Sequence, residues 1–286
     1  SGRGRGEAVD AAGHPICLEF QKVPTCLVIP ETGSYMLDEI RAQPGTLLTT
    51  IEHQQEQEFR TIALSIFRAK QVVFTACGSS RYAALIGRYM LSKLGKKFAD
   101  VVMASEFSYF ASSISKDTLV IAVSQSGETA DVVDGVKLAR AAGAHIVSVV
   151  NRSPSLLESL SDQVINLECG PEVAVAATKS FLSQVAVFCL LAHATVDRYE
   201  QAERNLQFVA TKVEQVIKKN RIPQLAEKLK NEHDWYYIAR GINFAVASEG
   251  ALKLKEVSYL HAEGLPAGEL KHGTLALIER GVPVVS

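Results

Sequence analysis

This chain lacks paired cysteines. Its five thiols, Cys17, Cys26, Cys77, Cys169 and Cys189, are scattered without any paired metal-ligand spacing, so the sequence gives no grounds for a structural zinc site or a disulfide framework. An odd count set within apolar stretches fits reduced, buried thiols in a cytoplasmic protein. Excess charge is missing too. With 30 basic and 31 acidic side chains the net charge is -1, which leaves no electrostatic footprint for nucleic acid or a membrane surface. No apolar run reaches bilayer-spanning length. The opening SGRGRGEAVDAAGH has arginines but no apolar core behind them, unlike a secretory signal. What remains is globular: 286 residues, 47% hydrophobic and 21% charged, enough for one large or two modest domains.

Along the chain, residues 1–34 read as an arm, Gly/Arg-rich and partly disordered at its start, with two short strands expected between Pro15 and Gly33. From Tyr35 the pattern turns helical, is expected to break at Pro44, and resumes from about Thr46 to Ala69. Val/Ile-rich strands then alternate with helices: QVVFTA, FADVVMAS, TLVIAVS, HIVSVVN and QVINLE, each followed by a helical stretch. This alternation predicts an α/β fold, a doubly wound parallel sheet with helices on both faces, over residues 35–215. A second unit is expected over 216–286. In it WYYIARG followed by a helix loosely repeats VVFTACGSSRYAAL, a trace of internal duplication. It reads as one strand with helices, and GVPVVS as the start of its second strand.

Four stretches carry candidate chemistry. Ser124, Gln125, Ser126 and Thr129, in SQSGET, leave a strand and enter a helix through hydroxyls and a glycine. Such a turn can hold phosphate oxygens on N–H groups and hydroxyls; the plainer alternative is a serine N-cap with a capping-box glutamate. CGSS is a second small-residue turn, bringing Ser79 and Ser80 to the same end of the sheet, where open α/β sheets bind ligands. Cys77 within it has no basic neighbour in view to activate it and reads as a small buried residue. In EGALKLKEVSYL, Glu249, Lys253 and Glu256 stand at i, i+4 and i+7 and share one helix face. That is either a proton-transfer carboxylate held ionised by its lysine or a solvated ion pair of little value. His272 follows in a glycine-bracketed loop able to present an imidazole near neutral pH. In EVAVAATKSF, Thr178 and Lys179 open a helix; a lysine there opposes the helix dipole unless an anion is near, and is otherwise a surface lysine.

YMLDEIRAQP, ACGSS, ASEF, VSQSGETADV, ATKSF and EGALKLKEVSYLHAEGLPAGELKHGTLALI, in this order, resemble the isomerase half of glutamine–fructose-6-phosphate aminotransferase, which is built of two sugar-isomerase (SIS) domains. The resemblance runs from about Tyr35 to Ser286 and implies the second SIS domain is incomplete. It implies a homodimeric phosphosugar aminotransferase/isomerase that converts fructose 6-phosphate to glucosamine 6-phosphate with no metal or organic cofactor. A glutaminase domain or subunit is the expected ammonia source. By position, Ser124, Gln125, Ser126 and Thr129 correspond to the phosphate cradle, with Ser79 and Ser80 lining the sugar. Glu256 corresponds to the base moving a proton between C1 and C2, and Lys253 lies beside it. His272 corresponds to the ring-opening residue, donated by the other subunit.

Several departures stand out. Ala177 replaces a family serine that contacts sugar, and Thr274 replaces a proline. The glutaminase domain and the lysine-bearing C-terminal tail are not in the sequence, so weak turnover is expected of this chain. The alternatives are a sugar-phosphate-binding regulatory module, or an SIS isomerase or deglycase acting on another phosphosugar.

Overall fold

The computed structural model describes residues 31–219 and 221–286. The expected strand pair and the rest of the arm therefore fall outside the described residues, except for 31–34, a turn ending at Ser34, whose hydroxyl caps the first helix. In chain order the elements are α1 (Tyr35–Glu52), α2 (Glu56–Arg68), β1 (Gln71–Ala76), α3 (Gly78–Lys93), β2 (Asp100–Met103), the single turn α4 (Phe107–Phe110), β3 (Thr118–Ser124), α5 (Ala130–Ala141), β4 (His145–Val150), α6 (Leu156–Ser159), β5 (Gln163–Asn166), α7 (Lys179–Ala194), α8 (Tyr199–Lys218), α9 (Ile222–Leu229), β6 (Asp234–Ala239), α10 (Ile242–Ser258), β7 (His261–Pro266) and β8 (Val284–Val285). Among the described residues, no helix is long and apolar enough to cross a membrane.

The first five strands form one parallel sheet in the order β2-β1-β3-β4-β5. Every residue of the central strand β3 is buried, as an apolar run covered on both faces requires. One face packs Phe74 and Val72 against α2, α3 and α7; Phe188 of α7 meets Phe74 edge-on at 5.4 Å. The other face packs Val73, Val120 and Ile146 against Phe107 and the apolar side of α5. Each such fully buried side chain contributes about 1.5–3 kcal/mol, so two complete layers secure the sheet.

Helix α1 corrects the expected break at Pro44: it runs through the proline. Leu47 and Ile51, past the proline, are buried beside Ala186 and Ala210, and this packing holds the helix across the one missing N–H. The interruption comes instead at residues 53–55, between α1 and α2.

The second sheet has three parallel strands in the order β7-β6-β8. That order repeats β2-β1-β3, so the duplication hinted at in sequence is present in the topology. Two expectations are corrected here. The second strand of this unit is β7, in HAEGLP, and the terminal Val284–Val285 is its third strand, on the other side of β6. Strand β7 carries little β-forming sequence and is held by close approach: a Cβ on Gly264 would lie 2.4 Å from the Ser248 Cα of α10. Helix α10 in turn packs on α3, with Ala245 against Leu85 and Ile86. This contact aims the polar face of α10 at the first sheet.

Candidate functional site

Strand order reverses between β1 and β3: from β1 the chain moves outward to β2, and from β3 to β4 and β5. A crevice opens at such a switch point beyond the carboxyl ends of the strands. The two small-residue turns occupy it, one after each strand.

After β3, Ser124 Oγ accepts the Gly127 N–H at 3.1 Å and lies 2.8 Å from the Thr129 hydroxyl. Gly127 has φ +69, and a Cβ there would lie 2.3 Å from the Ser155 hydroxyl, so only glycine suits both the left-handed backbone and the close contact. The Leu157 and Asn151 N–H groups donate to the carbonyls of Gly127 and Gln125, and the Glu128 carboxylate accepts the Leu156 N–H. The turn is therefore braced from behind. Helix α5 begins without any side-chain cap bond. Its N-cap is Thr129, and Glu128 is directed to Leu156; the capping-box alternative for SQSGET is not what forms.

After β1, Cys77 is the N-cap of α3, also without a side-chain cap bond. Burial raises the Cys77 thiol pKa, with Asp131 adding to it, which makes it a poor nucleophile. Ser80 Oγ accepts from Gln184 of α7 at 2.9 Å, so its own hydrogen remains to donate.

The third wall comes from α10. Lys253 Nζ donates to Ser79 Oγ at 2.9 Å, and Ser79 Oγ donates to Glu249 Oε1 at 2.8 Å. Nζ also lies 2.5 Å from Glu256 Oε2 and 3.4 Å from Glu249 Oε1. The lysine thus sits between two carboxylates, with Lys253 17% and Glu249 7% exposed at the side chain. The solvated ion-pair alternative does not describe this arrangement. Burial raises the Glu249 pKa to about 7, even though Lys253 and the Ser79 hydroxyl pull it down. Desolvation outweighs pairing here.

These residues enclose one cavity of about 220 Å³, lined by Ser79, Ser80, Ser124, Gln125, Ser126, Thr129, Lys253 and Glu256, with Cys77, Val123, Val175 and Ala177 completing the wall. Its size suits one small polar molecule better than a dinucleotide. The structure brings eight of the nine site residues singled out in sequence to this cavity. The ninth, His272, is exposed after a 3₁₀ turn and does not line it. His261 is also outside, paired with Asp234 at 3.0 Å. Spacing puts Glu249 on the same helix face but assigns it no role; its burial against Ser79 makes it part of the site. Lys179 is 9% exposed rather than a surface lysine. No group of His, Cys, Asp or Glu side chains able to hold a metal occurs among the described residues.

The SIS domain family matches residues 65–194 and 228–286, which take in both turns and the whole of α10. The chain belongs to the SIS domain family. Among its relatives is the glutamine–fructose-6-phosphate aminotransferase (isomerizing) of Thermococcus kodakarensis, 44% identical over 294 residues, covering 98% of this chain and 48% of that protein. The enzyme of the same name from Pyrococcus horikoshii is 40% identical over 277 residues, covering 93% of this chain and 46% of its own length. The SIS chain thus spans about half the length of the curated relatives it matches. Among solved structures, the C-terminal domain of glucosamine-fructose-6-phosphate aminotransferase from Francisella tularensis superposes with a TM-score of 0.74 at 29% identity, covering 88% of this chain and 75% of that one.

Proposed function

We propose that the cavity binds fructose 6-phosphate and that the chain carries the sugar-converting half of glucosamine 6-phosphate formation. One observation carries this reading: the hydroxyl-lined turn before α5, a helix with no side-chain cap bond, and the Lys253–Glu256 pair of α10 line a single cavity. The first wall suits a phosphate ester. Ser126, Gln125 and Thr129 offer donors, and the α5 N-terminus offers free N–H groups and the positive end of its dipole. The second wall suits a 1,2-proton shift. Ammonia condenses with the C2 carbonyl and water leaves, giving the C2 imine. Glu256 then takes a proton from C1 as the imine nitrogen gains one, and returns its proton at C2 as the O1 hydroxyl gives up its own, giving the 2-amino aldose. Lys253, 2.5 Å from Glu256, offers positive charge where the enolic intermediate develops its negative charge. Ser79 and Ser80 hold the sugar hydroxyls. The relatives named above support this assignment through their names, and the match between their longer chains and this one supports a glutaminase partner as ammonia source. The exposed position of His272 suits a residue offered to the neighbouring subunit of a homodimer, and a cytoplasmic setting goes with this chemistry.

The test has two parts. Calorimetry should show fructose 6-phosphate binding at least tenfold more tightly than fructose, as charge-assisted hydrogen bonds to the ester require. Proton exchange at C1 in deuterated water, followed by NMR, should fall at least 10²-fold in Glu256→Gln, while affinity for the sugar phosphate holds. Equal binding of both sugars, or exchange that survives the substitution, would sink the assignment.

A further inference from the structure

The cavity wall formed by Val175 and Ala177 belongs to a segment, residues 167–178, with no helix or strand of its own. Backbone N–H groups in such a stretch need partners from elsewhere. Leu167 donates to the Val150 carbonyl and Glu168 to Asn166 Oδ1; beyond them three side chains hold the segment. Asn151 Oδ1 accepts the Cys169 N–H and its Nδ2 donates to the Gly170 carbonyl, both at 2.9 Å. Glu172 Oε1 accepts the N–H groups of Thr178 and Ser180 at 2.8 and 3.2 Å, tying the segment to the start of α7. Between these two anchors, Glu39 Oε1 accepts the N–H groups of Val173 and Ala174 at 2.6 and 3.2 Å.

Glu39 is an unusual anchor. It stands on α1, 134 positions from Val173, and outside the residues that match the SIS family. It is 7% exposed, and its Oε2 is buried with no hydrogen-bond partner among the described residues. A buried carboxylate is tolerated only where donors reach it; among the described residues the loop N–H groups are the donors that reach this one. The dependence runs both ways, because removing the carboxylate leaves both N–H groups without an acceptor. Past this anchor Val175, 98% exposed, lies at the cavity mouth and Ala177 joins the cavity lining.

We propose that Glu39 is a positioning residue: by holding Val173 and Ala174 it sets the Val175–Ala177 wall against the bound sugar, so that a helix outside the matched SIS residues shapes the cavity. The part concerning sugar rests on the reading of the cavity as a hexose-phosphate site. The test compares the full chain with Glu39→Ala, Glu39→Asp and Glu39→Gln. Amide hydrogen exchange across residues 172–178 reads the loop, and calorimetry reads affinity for fructose 6-phosphate and, separately, inorganic phosphate. Glu39→Ala should speed exchange in that segment at least tenfold. It should weaken fructose 6-phosphate about tenfold, the factor carried by one charge-assisted hydrogen bond, and leave inorganic phosphate within about twofold, since the SQSGET turn is untouched. Glu39→Asp, one methylene too short to reach, should behave like alanine. Glu39→Gln keeps an oxygen acceptor and should recover most of both losses; it also serves if the alanine variant does not fold. Unchanged exchange in the alanine variant overturns the proposal. So does a loosened loop with unaltered sugar-phosphate affinity, or equal loss for both ligands. If the unsubstituted chain takes up no fructose 6-phosphate, the functional reading fails instead, and the exchange comparison alone decides whether Glu39 holds the loop.

Discussion

Replacing Glu249 by glutamine removes one ionisable group from the centre of the site while keeping its shape and an oxygen for the Ser79 hydroxyl. In the folded chain the Glu249 pKa is about 7, against 4.5 for an unburied glutamate. The folded state therefore binds a proton more tightly than the unfolded one. A raised carboxylate pKa contributes stability that is fully present below pH 4.5 and is lost as pH climbs through 7. At 1.36 kcal/mol per pH unit, the window corresponds to roughly 3 kcal/mol. Glutamine has no proton to lose and mimics the protonated form throughout.

Urea unfolding of both proteins at pH 5, 6, 7 and 8 isolates this group, because every other titration cancels in the difference. The glutamine variant should gain on the parent steadily across the series, by up to roughly 3 kcal/mol, with most of the change between pH 5 and 7. Urea slopes should stay equal, since the surface exposed on unfolding does not change. Parallel stability curves would refute the argument that desolvation outweighs Lys253 and Ser79. A parent that gains on its variant with rising pH would show that pairing wins instead.

Two further outcomes test the walls of the cavity. Gly127→Ala places a methyl group 2.3 Å from the Ser155 hydroxyl at φ +69; it should lower stability by at least ~1–3 kcal/mol, read as a shifted urea midpoint, and weaken sugar-phosphate binding because the brace behind the turn is displaced. Ala177→Ser adds a hydroxyl to the cavity wall and, on the proposed reading of the cavity, should tighten fructose 6-phosphate a few-fold, as one net hydrogen bond does, with inorganic phosphate unchanged in the same calorimeter. Identical affinities would place position 177 out of reach of the sugar.

What could be read in advance divides by the distance over which each feature is determined. The Val/Ile strands and the SQSGET and CGSS turns are local: a buried strand needs an apolar run, and the two turns lie where each strand gives way to a helix. Their shared cavity followed from parallel pairing of β1 with β3. Strand β7 was not legible, because HAEGLP holds a glycine and a proline and no alternation; it is a strand through pairing with β6 and the contact of Gly264 with Ser248. The same limit applies to the site's electrostatics. Spacing alone puts Glu249, Lys253 and Glu256 on one face, yet an exposed triplet of that kind titrates like its free side chains. What moves Glu249 toward neutrality is the packing of α10 on α3, which brings Ser79 from 170 positions away onto its carboxylate and excludes water. Glu39 is likewise buried by a long-range contact, since nothing in the spacing of α1 announces that its carboxylate caps a loop after β5. Long-range burial of single carboxylates, more than any motif, separates this cavity from an ordinary pair of hydroxyl-rich turns.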